Sequence, residues 1–152
     1  MSEPLFERVL VPIASEEDAR ATAASVGPML EASGGTGIFV YVVEKAGGAP
    51  DKASVEQREA YAERMFHRVR SALAGSSLPL ETDIRYGTEV GETIIEAAHD
   101  HQANGIAFTP RGGSRWVKLL TGDVTGTLIA TSDLPVLVLP EANGAAQASF
   151  SA

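Results

Sequence analysis

The chain has 152 residues, 44% hydrophobic and 21% charged, which suits one globular domain with a sizeable core. A net charge of −8 at pH 7 argues against sequence-independent nucleic-acid binding, which needs a basic face. There is no cysteine for disulfides or thiolate chemistry, and no apolar run approaches the ~18 residues that cross a membrane. Because the acidic start of the chain also lacks a secretory hydrophobic segment, we expect a cytoplasmic protein without membrane insertion or a nucleic-acid partner.

The first half of the chain alternates strand and helix patterns. Arg8–Ile13 is apolar and β-branched, as is typical of a buried parallel strand. Ser15 is expected to cap a helix with an acidic first turn, and Gly34 with Gly35 to end it before a strand at residues 37–43.

The remaining chain continues the alternation. The predicted elements are a long helix capped by Ser54 and running to Ala74, a strand at 80–86, a helix at 90–101, a strand at 105–109, a helix at 124–132 and a strand at 136–139. The last twelve residues, 141–152, are rich in Ala, Ser, Asn and Gly and are expected to form a mobile tail after a single domain at 1–140.

Five strands alternating with four helices predict an α/β fold, a doubly wound five-stranded parallel sheet with helices on both faces. Ligands of such sheets bind beyond the carboxyl ends of the strands, where the strand order reverses. We therefore expect the loop after the first strand, at Ile13, Ala14 and Ser15, to face the loop after the fourth strand, which begins at Thr109.

Residues 109–123 combine glycine with positive charge at that edge. Gly112 and Gly113 permit backbone conformations closed to other residues, and a strand, glycine-rich loop and helix in this order can surround an anion with N–H groups. Arg111, Arg115 and Lys118 add positive charge. The segment is interpreted either as an anion-binding loop or as a basic surface loop.

Several motifs resemble those of the universal stress protein family. Residues 9–13 followed by 15–17 are similar to the start of its domain, and residues 87–94 resemble its glycine-led start of the third helix. Residues 119–124 and 132–139 resemble its closing helix and last strand. The resemblance runs in family order from about residue 7 to 140, and it implies strand order 3-2-1-4-5 and a homodimer built through the last strand.

The last strand is itself a candidate interface. Its residues are Val136, Leu137, Val138 and Leu139, which are apolar on both faces. An exposed edge of this kind is prone to pair with a second copy, so a two-fold homodimer is expected there.

Many members of the family bind ATP through a pattern of Gly, two residues, Gly, nine residues, and Gly followed by Ser or Thr. Gly112 and Gly122 match two glycines of the pattern, whereas Thr109 replaces the first glycine and Asp123 the Ser or Thr. Ala14 stands where the family has an aspartate that meets the nucleoside. The nucleotide pocket that the resemblance implies comprises Pro12, Ile13, Ala14, Val42, Thr109, Arg111, Gly112, Gly122, Asp123 and Val124.

These three differences from the family pattern, at Ala14, Thr109 and Asp123, are expected to weaken ATP binding. Ala14 offers no acceptor, and Thr109 adds a Cβ where the backbone is expected to approach the ligand. The Asp123 carboxylate suits a helix N-terminus and would repel a phosphate ~4 Å away by ~4 kcal/mol at an effective dielectric of ~20. The alternative is that Asp123 holds a Mg²⁺ that bridges to the phosphates.

We therefore expect a non-enzymatic stress-response module that acts as a homodimer, has no catalytic residues or metal site, and does not bind ATP conventionally. Its protein partner is unknown from the sequence. The alternative is a switch that binds ATP or another adenine nucleotide with Mg²⁺ in a modified pocket, with slow hydrolysis.

Two weaker patterns concern metal binding and a second fold. His99 and His101 point to different faces of a helix and are expected at a solvated helix end rather than as metal ligands. A flavodoxin-type receiver is a third interpretation, but it needs acidic residues at strand ends and Asp83 lies inside a predicted strand.

Overall fold

The computed structural model describes residues 6–45, 52–109 and 122–139. The strands are β1 (Arg8–Ile13), β2 (Thr36–Glu44), β3 (Leu80–Gly87), β4 (Gly105–Phe108) and β5 (Val136–Val138), and the helices are α1 (Glu16–Ser33), α2 (Lys52–Ala72), α3 (Val90–Asp100) and α4 (Gly122–Thr131). No helix in these three ranges is long and apolar enough to span a bilayer. The predicted tail at 141–152 lies outside the described residues.

The five strands form one parallel sheet in the order β3-β2-β1-β4-β5, which confirms the predicted fold class and strand order. The flavodoxin-type receiver interpretation is wrong, because that fold orders its strands 2-1-3-4-5. β2 lies between β1 and β3 and is buried from Gly37 to Val43, as expected for a strand covered on both faces.

Two apolar cores lie on opposite faces of the sheet, because successive strand residues point to opposite sides. One core joins the sheet to α1 and α2, with Leu30 and Phe39 fully buried. The other joins it to α3 and α4, with Ile94 and Leu128 buried. Met65 on α2 is fully buried in the first of these cores.

Local signals set the ends of α1. Ser15 Oγ accepts a hydrogen bond from the Asp18 N–H at 3.1 Å, so Ser15 is the N-cap. Gly34 ends the helix in the left-handed region with φ of 70°, which a residue with a Cβ adopts only with strain. The cap predicted at Ser54 is wrong, because α2 already begins at Lys52 and Ser54 lies within its first turn.

Candidate functional site

The carboxyl edge of the sheet brings the two predicted loops together. β1 and β4 are adjacent, and the strand order reverses between them, since β2 follows β1 on one side and β4 lies on the other. Leu10 of β1 is paired with Ile106 of β4. Three residues further along both strands, Ile13 therefore lies beside Thr109. The edge therefore has the topology of a ligand site in a doubly wound sheet.

The Thr109 side chain points into the protein. It is fully buried, and its hydroxyl lies 2.7 Å from the Thr22 hydroxyl on α1. Its neighbour Phe108 faces the α3 core, so alternation along the strand turns Thr109 toward α1. Thr22 is not among the residues predicted from the sequence, although a threonine between the apolar α1 positions Ala19, Ala23 and Val26 is a signal of a buried polar contact.

A buried carboxylate lies on the same face of α1. Asp18 is fully buried and lies one helical turn before Thr22, so both side chains face the sheet. The sequence had suggested only an acidic first turn. Asp18 is close to the N-terminus of α1, where the helix dipole favours a negative charge. Asp18, Thr22 and Thr109 thus place polar atoms beneath the carboxyl edge.

The β1 and β2 residues of the implied pocket are apolar and buried. Ala14 and Val42 are each 6% exposed and belong to the core that faces α3. Ile13 is 2% exposed and faces α1 and α2, and Pro12 is buried beside its register partner Val40. At the position of the family aspartate the chain therefore presents only the Ala14 methyl group.

The backbone of α4 begins at Gly122, two residues before the predicted start, so Asp123 and Val124 lie in the first turn of that helix. Because α4 connects the parallel strands β4 and β5, its N-terminus lies toward the carboxyl edge. Arg111 and Gly112, and the side chains of Asp123 and Val124, lie outside the described residues.

Two tyrosine rings, one from β2 and one from α2, pack together next to this edge. Tyr41, the register partner of Ile13, packs edge-on against Tyr61 of α2, with ring centroids 5.7 Å apart. Burial raises the pKa of Tyr41 above its ordinary 10.0, although the nearby Arg58 opposes the shift. The phenol is therefore neutral at physiological pH.

A charged network joins β3 to the start of β1 and to the end of α3. Asp83 Oδ2 accepts from Arg85 Nε at 2.6 Å and lies 2.8 Å from His101 Nε2, while Arg8 bonds to Glu81 and Arg85 to Asp100. Burial alone would raise the pKa of Asp83, but the hydrogen bonds from His101 and Arg85 outweigh it and lower that pKa.

The histidines differ from expectation in part. His99 is half exposed and lies 2.8 Å from Asp133 at a solvated helix end, as expected. His101 is instead largely covered, because its ring lies between the Glu81 and Asp83 carboxylates. Within the described ranges, no group of three or more metal-ligating side chains is arranged to hold a metal ion.

These features define the class of the protein, a doubly wound α/β domain whose strand order reverses between β1 and β4. The sequence profile of the universal stress protein family matches residues 5–140, and the chain belongs to this family. A search of curated protein sequences found no match.

Solved structures agree in fold. Universal stress protein UspA from Lactobacillus plantarum is 19% identical with a TM-score of 0.73, over 90% of this chain and 99% of that one. A universal stress protein from Archaeoglobus fulgidus, solved with dAMP, is 14% identical with a TM-score of 0.62, over 90% and 99%. A universal stress protein solved with cAMP is 17% identical with a TM-score of 0.63, over 90% and 98%.

Proposed function

We propose that this universal stress protein is a non-enzymatic, cytoplasmic stress-response module that does not bind ATP in the manner of the nucleotide-binding relatives. The observation that carries the proposal is the buried hydrogen bond between Thr109 and Thr22. Thr109 stands at the first glycine of the ATP-binding pattern, where a glycine leaves the backbone free to close on a ligand. Here the side chain ties the start of the loop to α1.

Two further positions support the same conclusion. Ala14 replaces the aspartate that meets the nucleoside and presents a methyl group among apolar neighbours. A nucleoside would lose its acceptor there, and its polar groups would be left without a partner. The backbone of Asp123 lies in the first turn of α4. A carboxylate in the first turn of a helix competes with a phosphate for the helix N–H groups.

Isothermal titration of the wild type with ATP and Mg²⁺ tests the proposal. The wild type should show no saturable heat of binding. Asp123→Ser should bind ATP weakly, and the triple variant Ala14→Asp/Thr109→Gly/Asp123→Ser should bind it clearly. Because Thr109→Gly removes a buried side chain and so lowers the stability of the fold, Ala14→Asp/Asp123→Ser serves as a second variant that keeps Thr109. This variant should bind ATP more tightly than Asp123→Ser alone. Tight binding of ATP by the wild type that Asp123→Ser weakens would overturn the proposal and make Asp123 a metal ligand.

The second candidate is a regulatory switch that binds an adenine nucleotide in a modified pocket. It is favoured by relatives whose structures contain cAMP and dAMP, and by the retained Gly112 and Gly122. A monophosphate carries less negative charge than ATP and would be repelled less by Asp123. Titration with AMP and cAMP separates the candidates, since saturable binding that Arg111→Glu abolishes would support the switch.

We also propose that the protein acts as a homodimer paired through β5. β5 has a neighbour only in β4 within the described sheet, and Val138 is a large hydrophobic residue that is 49% exposed. Pairing with a second copy would cover this edge. Sedimentation at micromolar concentration should show a dimer that Val138→Lys weakens, whereas a monomeric wild type would contradict the assignment.

A further inference from the structure

A groove of about 710 Å³ runs between the outer faces of α1 and α2. Its size lies within the ~300–1,000 Å³ of small-molecule sites. The lining residues are Glu16, Arg20, Glu63, Arg64, His67, Arg68, Ser71 and Ala72. None of them belongs to the implied nucleotide pocket, so the groove is a separate feature of the molecule.

One carboxylate orients two guanidinium groups in this groove. Arg64 Nε bonds to Glu16 Oε2 at 3.2 Å, and Arg68 Nε bonds to Glu16 Oε1 at 3.3 Å. Arg64 and Arg68 are one helical turn apart on α2, so their side chains lie side by side. Because Glu16 engages the Nε atoms, the terminal nitrogens of both groups remain available as donors to a ligand.

Arg20 adds a third guanidinium from the other wall. It lies one turn after Glu16 on α1, is exposed, and makes no hydrogen bond or ion pair with any residue that the structure describes. The three guanidinium groups outnumber the carboxylates of Glu16 and Glu63. The groove is therefore locally positive in a chain whose net charge is −8.

We propose that the groove binds a small ligand bearing a phosphate group. Guanidinium groups donate paired hydrogen bonds that match the geometry of phosphate oxygens, and two groups held by one carboxylate lose less freedom on binding than free side chains. Arg64 and Arg68 contact the phosphate from α2, Arg20 closes it from α1, and Glu16 is a positioning residue. His67 and Ser71 supply further polar groups to the rest of the ligand.

Titration of the full chain with inorganic pyrophosphate at fixed ionic strength tests the proposal, with heat and the NMR signals of the arginine Nε–H groups as readouts. Saturable binding should shift the Arg64 and Arg68 signals, and Arg20→Gln/Arg64→Gln should weaken the affinity by at least about tenfold. Arg70→Gln is the matched control. Arg70 lies on the same helix outside the groove, where its Nη2 bonds to Thr82 Oγ1 at 3.5 Å, so this variant should bind like the wild type.

A second variant distinguishes this site from the carboxyl edge. Arg115→Gln/Lys118→Gln removes two cations from the segment between β4 and α4 and should leave pyrophosphate affinity within about twofold of the wild type. The proposal is overturned if the wild type shows no saturable binding at millimolar pyrophosphate. It is also overturned if Arg20→Gln/Arg64→Gln retains the affinity, or if Arg115→Gln/Lys118→Gln alone abolishes it.

Discussion

The hydrogen bond between the Thr22 and Thr109 hydroxyls joins α1 to the end of β4, and it should make a measurable contribution to the free energy of unfolding. Both side chains are fully buried and their oxygens are 2.7 Å apart, so each is the partner of the other. Thr22→Val or Thr109→Val replaces a hydroxyl by a methyl of similar size and leaves the remaining hydroxyl buried without that partner. Each single substitution should lower the free energy of unfolding by about 1–3 kcal/mol.

The double substitution removes both polar groups and should cost less than the sum of the two singles. A coupling free energy of about 1–2 kcal/mol is expected, because the double variant leaves no hydroxyl unsatisfied. Urea unfolding followed by far-ultraviolet circular dichroism measures all four proteins. With an m-value of about 2 kcal/mol/M, a loss of 2 kcal/mol moves the midpoint by about 1 M. Costs that add within about 0.5 kcal/mol would show that the two hydroxyls do not stabilise each other.

Two further predictions concern helix glycines and acid stability. At Gly34 and Gly126 an added Cβ would meet no atom within 4 Å, but only Gly34 has a positive φ. Gly34→Ala should therefore destabilise the protein by about 1 kcal/mol, whereas Gly126→Ala should stabilise it by about 0.5–1 kcal/mol. Shifts of the thermal unfolding midpoint in the same direction for both variants would contradict this. The pKa of Asp83 is lowered in the folded state, so the folded protein binds fewer protons at this carboxyl than the unfolded chain does. The contribution of the Asp83 carboxylate to the free energy of unfolding is therefore complete above about pH 5, and it is lost as the pH falls through the folded pKa. The gap in unfolding free energy between wild type and Asp83→Asn should therefore shrink from pH 6 toward pH 3, and a gap independent of pH would refute the linkage.

Much of the fold could be predicted because its signals are local. The Ser15 cap, the Gly34 stop and the apolar run of β1 act over a few residues, and the structure confirms each of them. The start of α2 was misplaced, because Ser54 satisfies the rules for a cap but the helix continues upstream to Lys52. Short-range patterns of this kind fix the type of an element more firmly than its first residue.

The candidate site was predicted only in outline. The alternation of strands and helices placed Ile13, Ala14 and Thr109 at one edge, since parallel strands end on the same side of a sheet. The sequence could not show that Thr109 turns inward to Thr22, because these residues are 87 positions apart and meet only when β4 pairs with β1.

The sequence by itself determined the element types, the parallel α/β class and the family, because hydrophobic period, caps and short motifs are written in neighbouring residues. Tertiary structure alone decided which polar residues are buried and which charges meet. Asp18 belongs to the acidic first turn that the sequence predicts, but only the structure shows that it is fully buried. Glu16 bonds to Arg64 and Arg68, which are 48 and 52 positions away in the chain. Such contacts depend on how helices pack across the sheet, and the same local sequence is compatible with many packings until the long-range burial of the core selects one.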